Sequence, residues 1–262
     1  MKNSRWVIFN RQNQILQKLH SVGSATIEDM AQEFAVSPLT IRRDLDALSQ
    51  KGFVERFHGG ARHVSRSLST DPATELKTRD QEIRKRLIAE HAARMVEDDD
   101  TIFINSSTTA LYMLEFLAAR HVTIITNNAN ALSAVDASKF ILVFTGGEIN
   151  PFKHSMVGSL SIQMLKAVHA SKCFIGVSGI NAQGQLSSAG LKETTVNICM
   201  MEQTTTQVVV LADSSKIGVQ HNFTIGSLDQ VSYVVTDDGV TEQQRAILSG
   251  YAATPLIARS TV

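Results

Sequence analysis

Beyond residue 100 the sequence alternates short apolar segments with helix-forming ones, and this alternation limits the possible folds more than any other feature. The strand-like segments are 101–105, 122–126, 140–145, 172–178, 208–212 and 231–236, and the helical segments are 108–119, 128–137, 159–168, 193–203 and 241–249. Short apolar strands separated by helices form parallel sheets that helices cover on both faces. We therefore expect an α/β domain built on a doubly wound, mainly parallel sheet.

The first 63 residues follow another pattern, with three short amphipathic helices and a hairpin. The first helix spans 11–22 and stops at Gly23, and Thr26 caps the second. Ser37 is a favourable N-cap and Pro38 suits the first position of a third helix. A tight turn between the second and third helices is the helix-turn-helix arrangement, in which the third helix lies in the major groove of DNA.

The segment after the third helix is typical of a wing beside the DNA. Residues 53–58 favour a strand, Gly59-Gly60 a two-residue turn, and 61–64 a returning strand. Two simpler alternatives stay open: a solvated hairpin for the wing, and an exposed ion pair with Asp46 for Arg42. The candidate DNA contacts are Ser37, Leu39, Thr40, Arg42 and Arg43 in the third helix and Arg56, His58 and Arg62 in the wing.

The charge distribution supports DNA binding by this N-terminal part. The whole chain has no net charge, but residues 1–66 carry ten Lys/Arg and six Asp/Glu, whereas residues 67–262 carry fifteen and nineteen. A basic excess beside the helix-turn-helix is expected of a domain that binds phosphates. The basic excess therefore lies in the same part of the chain as the helix-turn-helix motif.

A serine-rich polar stretch at 65–72 marks a linker, because such composition neither packs nor continues a helix. We expect a winged helix-turn-helix DNA-binding domain at 8–63, a linker at 64–80 and an effector-sensing domain at 81–262. The sensing domain opens with a charged helix from 80 to 95, followed by a solvated acidic turn rather than a metal site.

Composition restricts the compartment and the cofactor chemistry. No apolar run approaches the roughly 18–20 residues of a membrane span, and the polar N-terminus lacks a signal region, so we expect a cytoplasmic protein with no membrane partner. Cys173 and Cys199 are expected to be small buried hydrophobes rather than a disulfide or a metal site. No nucleotide- or dinucleotide-binding glycine motif occurs, so no cofactor is expected.

Polar residues and glycines follow the expected strands, at the edge where ligands bind in open α/β sheets. The run 106–109 opens a helix, so its backbone N–H groups and hydroxyls suit a phosphate, and Lys216 adds a positive charge. Each segment alone also fits a helix cap, a turn or a surface loop; their shared position favours a site for a small, polyhydroxylated anion. The candidate effector residues are Ser106, Ser107, Thr108, Thr109, Thr126, Asn127, Asn128, Gly146, Gly147, Gly179, Asp213 and Lys216.

These motifs, taken together, cover nearly the whole chain and resemble one family. Residues 36–45 with Phe57-His58-Gly59-Gly60-Ala61 are similar to the helix-turn-helix signature of the DeoR/GlpR group of bacterial transcriptional regulators. The resemblance implies a winged helix-turn-helix repressor of a sugar or polyol operon, binding double-stranded operator DNA. It also implies a sensor domain that resembles ribose-5-phosphate isomerase in fold and binds a phosphorylated sugar or sugar-derived metabolite. The similar segments of the second domain are 103–109, 126–128, 146–147, 158, 174–176 and 213–216.

Three positions depart from the pattern of that family. Asn105 stands where an aspartate is usual, Ser107 where a glycine is usual, and Asn197 where a basic residue often follows the glutamate corresponding to Glu193. The expected phosphate site therefore has one negative and one positive charge fewer, while its backbone donors are unaffected.

The competing hypothesis is a sugar-phosphate isomerase-like enzyme with an appended DNA-binding domain. The isomerases that the sensor resembles carry acidic residues and a lysine in the region of 176–181 and 185–188, but these positions hold neither here. Binding without turnover is therefore favoured, and no catalytic residue is assigned. We also expect a homo-oligomer, a dimer or tetramer, because repeated operator half-sites mirror the symmetry of the protein.

Overall fold

The computed structural model describes residues 11–259 apart from 13, 17, 20–21, 51–52, 58, 64–71, 135–138 and 152; at 50, 63 and 72–78 it describes the backbone but not the side chains. The chain divides into two compact units, Met1–Arg79 and Asp80–Val262. Each unit has its own hydrophobic core.

The N-terminal unit combines three helices with a small antiparallel sheet. Its elements are α1 (the described positions between 11 and 22), β1 (Ser24–Thr26), α2 (Ile27–Glu33), α3 (Pro38–Gln50), β2 (Val54–Phe57) and β3 (Gly60–His63). The strands pair in the order β1-β3-β2. The hairpin of β2 and β3 is the wing.

Local sequence determines where these helices begin and end. The Thr26 hydroxyl accepts a hydrogen bond from the Asp29 N–H (3.1 Å), and the Ser37 hydroxyl accepts one from the Thr40 N–H (3.2 Å), so both expected caps are present. Gly23 adopts φ +78° where α1 ends. The apolar faces of the three helices meet in one core, which fully buries Ile15, Leu19, Met30, Ile41 and Leu45.

The wing differs from the expectation in two details. Gly60 pairs with Phe57 and belongs to β3, so it is not part of the turn that was expected at 59 and 60. A Cβ at Gly60 would lie 2.4 Å from the carbonyl oxygen of Ala25 in β1, which requires glycine in this strand. Strand β1 was not expected, because three residues between a helix stop and a helix cap are too few to show a strand period.

A buried ion pair joins α1 to α3. Arg11 Nε lies 2.6 Å from Asp44 Oδ2, and the Gln12 side-chain amide donates to Asp44 Oδ1 at 3.1 Å. Arg11 is 7% exposed and Asp44 4%. The orientation of α3 therefore depends on a carboxylate that two α1 side chains satisfy.

The larger unit is built on a seven-stranded sheet, and every strand pair in that sheet is parallel. Its helices are α4 (Pro72–Ala93), α5 (Thr108–Phe116), α6 (Ala131–Ala134), α7 (Ser159–Lys166), α8 (Leu191–Glu202) and α9 (Glu242–Ser249). The sheet strands are β4 (Thr101–Ile104), β5 (Thr123–Thr126), β6 (Ile141–Phe144), β9 (Ala170–Gly176), β12 (Thr204–Leu211), β14 (Tyr233–Asp237) and β15 (Thr254–Ala258).

The strand order is β15-β14-β12-β9-β4-β5-β6. The chain builds outward from β4 to β6, returns to place β9 on the other side of β4, and then builds outward again to β15. The doubly wound expectation is confirmed, and the order reverses between β4 and β9. Ligands of such sheets bind beyond the carboxyl ends of the strands at this switch point.

Alternate side chains of the central strands enter two cores. In β9, Phe174 packs with residues of α4 and α5, whereas Cys173 and Ile175 pack with residues of α8 on the opposite face. Cys173 and Cys199 are both buried free thiols, as expected. Burial raises the pKa of Cys173 far above its ordinary value and also raises that of Cys199.

Two further small sheets are separate from the seven-stranded sheet and were not expected from the sequence. A hairpin joins β7 (Glu148–Asn150) to β8 (Ser155–Val157), and a small sheet has the order β10-β11-β13. Its strands are β10 (Gly179–Ile180), β11 (Gln185–Ser188) and β13 (Phe223–Ser227). Strand β15 was also missed. Helix α4 begins at Pro72 rather than at 80, because proline is favourable in the first helical turn and does not end the helix there.

At the amino end of the sheet, the buried Lys172 of β9 forms an ionic cluster with the half-buried Asp100 and the exposed Glu97. Its ammonium lies 2.8 Å from Asp100 Oδ2 and 2.8 Å from Glu97 Oε2, and the Ser171 hydroxyl donates to Asp100 Oδ1 at 2.6 Å. Burial alone would raise the pKa of Asp100, but the bonds from Lys172 and Ser171 outweigh it and the pKa is lowered. Burial likewise opposes the Lys172 charge, yet its two carboxylates raise its pKa.

Candidate DNA interface and effector site

Helix α3 presents a solvent-facing surface at its N-terminal half. Arg42 and Arg43 are exposed, Leu39 is 56% exposed, and Thr40 is half-buried. The Ser37 hydroxyl lies 2.9 Å from the Thr40 hydroxyl, so both hydroxyls are at the helix start, where backbone N–H groups favour anions. The opposite face of α3 is in the core, so this surface is the one that a DNA groove can approach.

The ion-pair alternative for Arg42 is wrong, because Asp46 bonds Arg56 of the wing instead. Neither Arg42 nor Arg43 forms an ion pair with another described residue. Arg56 therefore connects β2 to α3 in the absence of DNA, and a phosphate would have to share it with Asp46. This pairing leaves the two helix arginines as the more available cations.

Arg62, the second arginine of the wing, is also paired with a carboxylate. Arg62 of β3 donates to Glu55 of β2 through Nη2 (2.8 Å) and Nε (3.0 Å), and the two residues are opposite one another in the hairpin. This exposed cross-strand pair orients the guanidinium along the wing surface. His58 lies outside the described residues.

The candidate phosphate turn follows β4 and lies at the switch point. The Ser107 hydroxyl accepts a hydrogen bond from the Ala110 N–H (3.1 Å) and caps α5. Ser106 is half-buried and Thr108 is exposed, whereas Thr109 is buried. The turn thus offers Ser106 and Thr108 to a ligand, while Ser107 shapes the helix start.

Asn105 joins this turn to the end of β9. Its side-chain oxygen accepts from the Gly176 N–H (3.1 Å) and the Ser107 N–H (3.2 Å). Its side-chain NH2 donates to the Gly176 carbonyl (2.9 Å) and to Asn197 Oδ1 of α8 (3.1 Å). The three positions that depart from the DeoR/GlpR pattern are therefore joined, because the Asn105 side chain bonds both the Ser107 backbone and the Asn197 side chain. The amide is suited to the site because Gly176 offers both a donor and an acceptor.

A Cβ at Gly176 would lie 2.1 Å from the Ser107 hydroxyl. Glycine therefore allows the β4 turn to close against β9.

The residues after β5 mostly stabilise their own loop. The Thr126 hydroxyl donates to the Ile104 carbonyl (2.7 Å) and accepts from the Asn128 N–H (3.0 Å), which joins this loop to the β4 strand end. Asn127 donates to the Met156 carbonyl (3.1 Å), while its side-chain oxygen is buried without a hydrogen-bond partner among the described residues. An unpaired buried acceptor is the part of this loop most suited to a ligand hydroxyl.

The glycines after β6 form a tight turn against α7. Gly146 and Gly147 have φ +68° and +99°, values that favour glycine. The Ser161 hydroxyl donates to the Gly146 carbonyl, and a Cβ at Gly147 would lie 2.5 Å from the Val157 carbonyl oxygen. Both glycines are exposed, so their backbone faces solvent at the carboxyl edge of the sheet.

The last three candidate residues divide into one cation and two packing residues. The half-buried Lys216 donates to the Val177 carbonyl (2.9 Å), beside the end of β9. The Asp213 carboxylate is buried and accepts from the Ser215 N–H (3.1 Å) and hydroxyl, so it caps the 3-10 turn Ser214–Lys216. A Cβ at Gly179 would lie 2.4 Å from the Val219 carbonyl oxygen, so this glycine allows two chain segments to pack.

A buried carboxylate of α8 was not among the candidates. Glu193 Oε1 accepts from Asn150 (2.8 Å) and Ser155 (2.9 Å) of the β7–β8 hairpin, and Oε2 lies 3.7 Å from Lys153 Nζ. Burial alone would raise the pKa of Glu193, but its own backbone N–H, the Asn150 amide, Lys153 and the Ser155 hydroxyl lower it. Glu193 and Asn197 are one helical turn apart, so this face of α8 adjoins the switch point. The spacing of these two polar residues in an otherwise apolar helix was the sequence signal that could have identified Glu193 as a candidate.

The comparisons with known proteins identify both units. Residues 11–67 match the model of the DeoR-like helix-turn-helix domain, and residues 80–238 match that of the DeoR C-terminal sensor domain. Among the described residues, no helix is long and apolar enough to cross a membrane, and no three His, Cys, Asp or Glu side chains are grouped for a metal ion.

The similar proteins are regulators. The chain is 31% identical to the uncharacterised regulator YulB of Bacillus subtilis (89% of this chain, 90% of that one). It is 29% identical both to the lactose phosphotransferase system repressor of Staphylococcus epidermidis (92% and 96%) and to the glycerol-3-phosphate regulon repressor of Escherichia coli (87% and 90%).

Among solved structures, ribose-5-phosphate isomerase A of Methanocaldococcus jannaschii is 19% identical over 52% of this chain and 54% of that one, with a TM-score of 0.38. The isomerase alternative is not supported by the family matches, both of which describe parts of a regulator. The chain belongs to the DeoR family of DNA-binding transcriptional regulators.

Proposed function

We propose that the protein is a repressor of a sugar or polyol operon whose DNA affinity is controlled by a phosphorylated sugar-type metabolite. Two relatives are named as repressors, one of a lactose phosphotransferase system and one of a glycerol-3-phosphate regulon. Both names refer to the use of small polyhydroxylated compounds. The expected ligand of the sensor is of the same chemical class.

The observation that carries the proposal is the set of groups at the switch point. The turn Ser106–Thr108 offers hydroxyls and the backbone N–H groups at the start of α5, and Lys216 lies across the end of β9. A helix start and a cation suit a phosphate, while the exposed turn at Gly146 and the unpaired oxygen of Asn127 suit hydroxyls. Asp213, Gly179, Ser107 and Thr109 contribute to the shape of this site.

For the DNA-binding domain we assign base and phosphate contacts to Arg42 and Arg43. Ser37, Thr40 and Leu39 position the helix start and provide apolar contact, and the wing supplies Arg56 and Arg62. The proposal includes a dimer or tetramer in the cytoplasm, because a symmetric operator needs two copies of α3. It also keeps the domain boundaries 8–63 and 81–262.

The test is a titration of operator DNA, selected from a random duplex library with this protein, against a panel of sugar and polyol phosphates. We expect one compound to release the complex at a concentration at which its unphosphorylated form has no effect. Lys216→Ala should abolish this response, so that the compound no longer releases the variant's DNA complex at the concentration that releases the wild-type complex. A complex that no phosphorylated sugar or polyol alters would contradict the assignment of the effector class.

A further inference from the structure

Asp237, at the end of β14, is a fully buried carboxylate that holds two turns at the carboxyl edge of the sheet. Its Oδ2 accepts from the Ser214 N–H (2.6 Å), and its Oδ1 accepts from the Ser214 hydroxyl and the Gly239 N–H (both 2.9 Å). Any shift of the turn after β12 therefore disturbs the surroundings of this carboxylate.

Arg84 of α4 is the cation that pairs with Asp237. Its Nη1 donates to the Ser214 hydroxyl at 3.0 Å and lies 3.5 Å from Asp237 Oδ1. A Cβ at Gly239 would lie 3.0 Å from the same Nη1, so the neighbouring glycine leaves room for the guanidinium. The Asp237 carboxylate is buried, whereas the Arg84 side chain that it pairs with is part-exposed.

The same short turn reaches the proposed effector site. Ser214 begins the 3-10 turn that Lys216 ends, and Lys216 bonds the Val177 carbonyl after β9. A single turn thus has the effector cation at one end and the Arg84 contact at the other. Charge-assisted bonds to phosphate are stronger than a bond to a neutral carbonyl, so a phosphate at Lys216 competes with Val177 and pulls on this turn.

Helix α4 runs without interruption from Pro72 to Ala93. It begins in the N-terminal unit and ends in the larger one, since the boundary falls between Arg79 and Asp80. Arg84 lies shortly after that boundary. Arg84 therefore joins the start of the larger unit's part of α4 to the turn that carries Lys216.

We propose that Arg84 is a positioning residue that couples the Ser214–Lys216 turn to α4 and thereby to DNA affinity. This inference rests on the proposed control by a phosphorylated effector. Effector binding changes the Ser214–Arg84 contact, and the two arrangements of the turn favour different positions of α4. Removing the contact should therefore alter DNA affinity without any ligand.

The test measures operator affinity of the full chain, without ligand, for Arg84→Ala, Ser214→Ala and the double variant, using the library-selected DNA. Arg94→Ala is the matched control, because Arg94 is exposed and forms a local i,i+4 ion pair with Glu90. We expect each single variant to change affinity at least about fivefold, and the double variant to differ from the larger single effect by less than about twofold. Arg84→Lys keeps the positive charge, so its operator affinity should lie between that of Arg84→Ala and that of the wild type. The operator affinity of the Arg94→Ala control should stay within about twofold of the wild type.

Three results would overturn the inference: unchanged affinity in both single variants, additive effects in the double variant, or a control effect equal to that of Arg84→Ala. If Arg84→Ala fails to fold by circular dichroism, Ser214→Ala and Arg84→Lys decide the matter by the same criteria. The experiment uses no metabolite. A failure here is therefore distinguishable from a failure of the effector proposal, which depends on the phosphate panel.

Discussion

Replacing Arg11 by methionine tests whether the buried α1–α3 ion pair positions the recognition helix. The variant removes the Arg11 partner of Asp44, which is 4% exposed; among the described side chains, the Gln12 amide is the bond that remains. Breaking a buried pair by removing one partner costs about 3–5 kcal/mol, and the remaining amide bond favours the lower end, about 3 kcal/mol. That is a large share of the total stability of about 5–15 kcal/mol of a typical domain.

The assay is thermal unfolding of the full chain followed by helical circular dichroism, with operator affinity measured in parallel. We expect the transition of the N-terminal unit to fall by more than about 10 °C and DNA binding to weaken at temperatures where this unit starts to unfold. The control is Arg11→Met combined with Asp44→Leu, which replaces both charges by apolar groups and should recover most of the loss. A decrease below about 3 °C in the single variant, or a double variant no better than the single one, would refute the reasoning.

Arg43→Ala should weaken operator binding by about 1–3 kcal/mol with an unchanged fold, measured by fluorescence anisotropy; affinity within about twofold of the wild type would remove Arg43 from the DNA contacts. Because the pKa of Asp100 is lowered in the fold, its pair with Lys172 stabilises the sensor fully above the ordinary aspartate pKa of about 4, and this contribution is lost as the pH falls through the lowered value. Lys172→Met should remove this acid-dependent loss from a plot of Tm against pH, and an unchanged acid slope would count against the pair. Asn105→Asp removes the donor to the Gly176 carbonyl and should lower the free energy of unfolding of the sensor by about 1–3 kcal/mol. Adding Asn197→Lys supplies a partner for the new carboxylate and should regain part of this loss. An unchanged free energy of unfolding for Asn105→Asp in chemical denaturation would contradict this.

The helix-turn-helix could be predicted from sequence because its signals are local. Ser37 and Thr26 cap helices through bonds to residues three positions away, and the apolar spacing of α3 directly reports its buried face. The central strands were also predictable, since a strand buried on both faces is a continuous apolar run. The order of these strands in the sheet could be predicted only in part, because the reversal between β4 and β9 depends on contacts between residues far apart in the chain.

The elements that the sequence did not predict depend on contacts between residues that are far apart in the chain. Strands β10, β11 and β13 are short, and their pairing joins residues as far apart as Gln185 and Ser227. The partners of Glu193 come from a hairpin about forty residues earlier, and Arg84 reaches a turn that lies 130 positions further along. Contacts between residues so far apart in the chain cannot be recognised from the local amino-acid composition. The sequence suggested Lys216 as a candidate effector residue, but the contact between its turn and α4 could be found only in the structure.

The two buried thiols, Cys173 and Cys199, can serve as chemical labels for motions of the sensor. Because burial keeps Cys173 protonated at neutral pH, peroxide and alkylating reagents can react with it only after the sheet locally opens. Cys199 lies on α8, so its labelling reports separation of that helix from the sheet. The ratio of the two labelling rates, with and without ligand, would therefore show which part of the sensor a metabolite makes rigid.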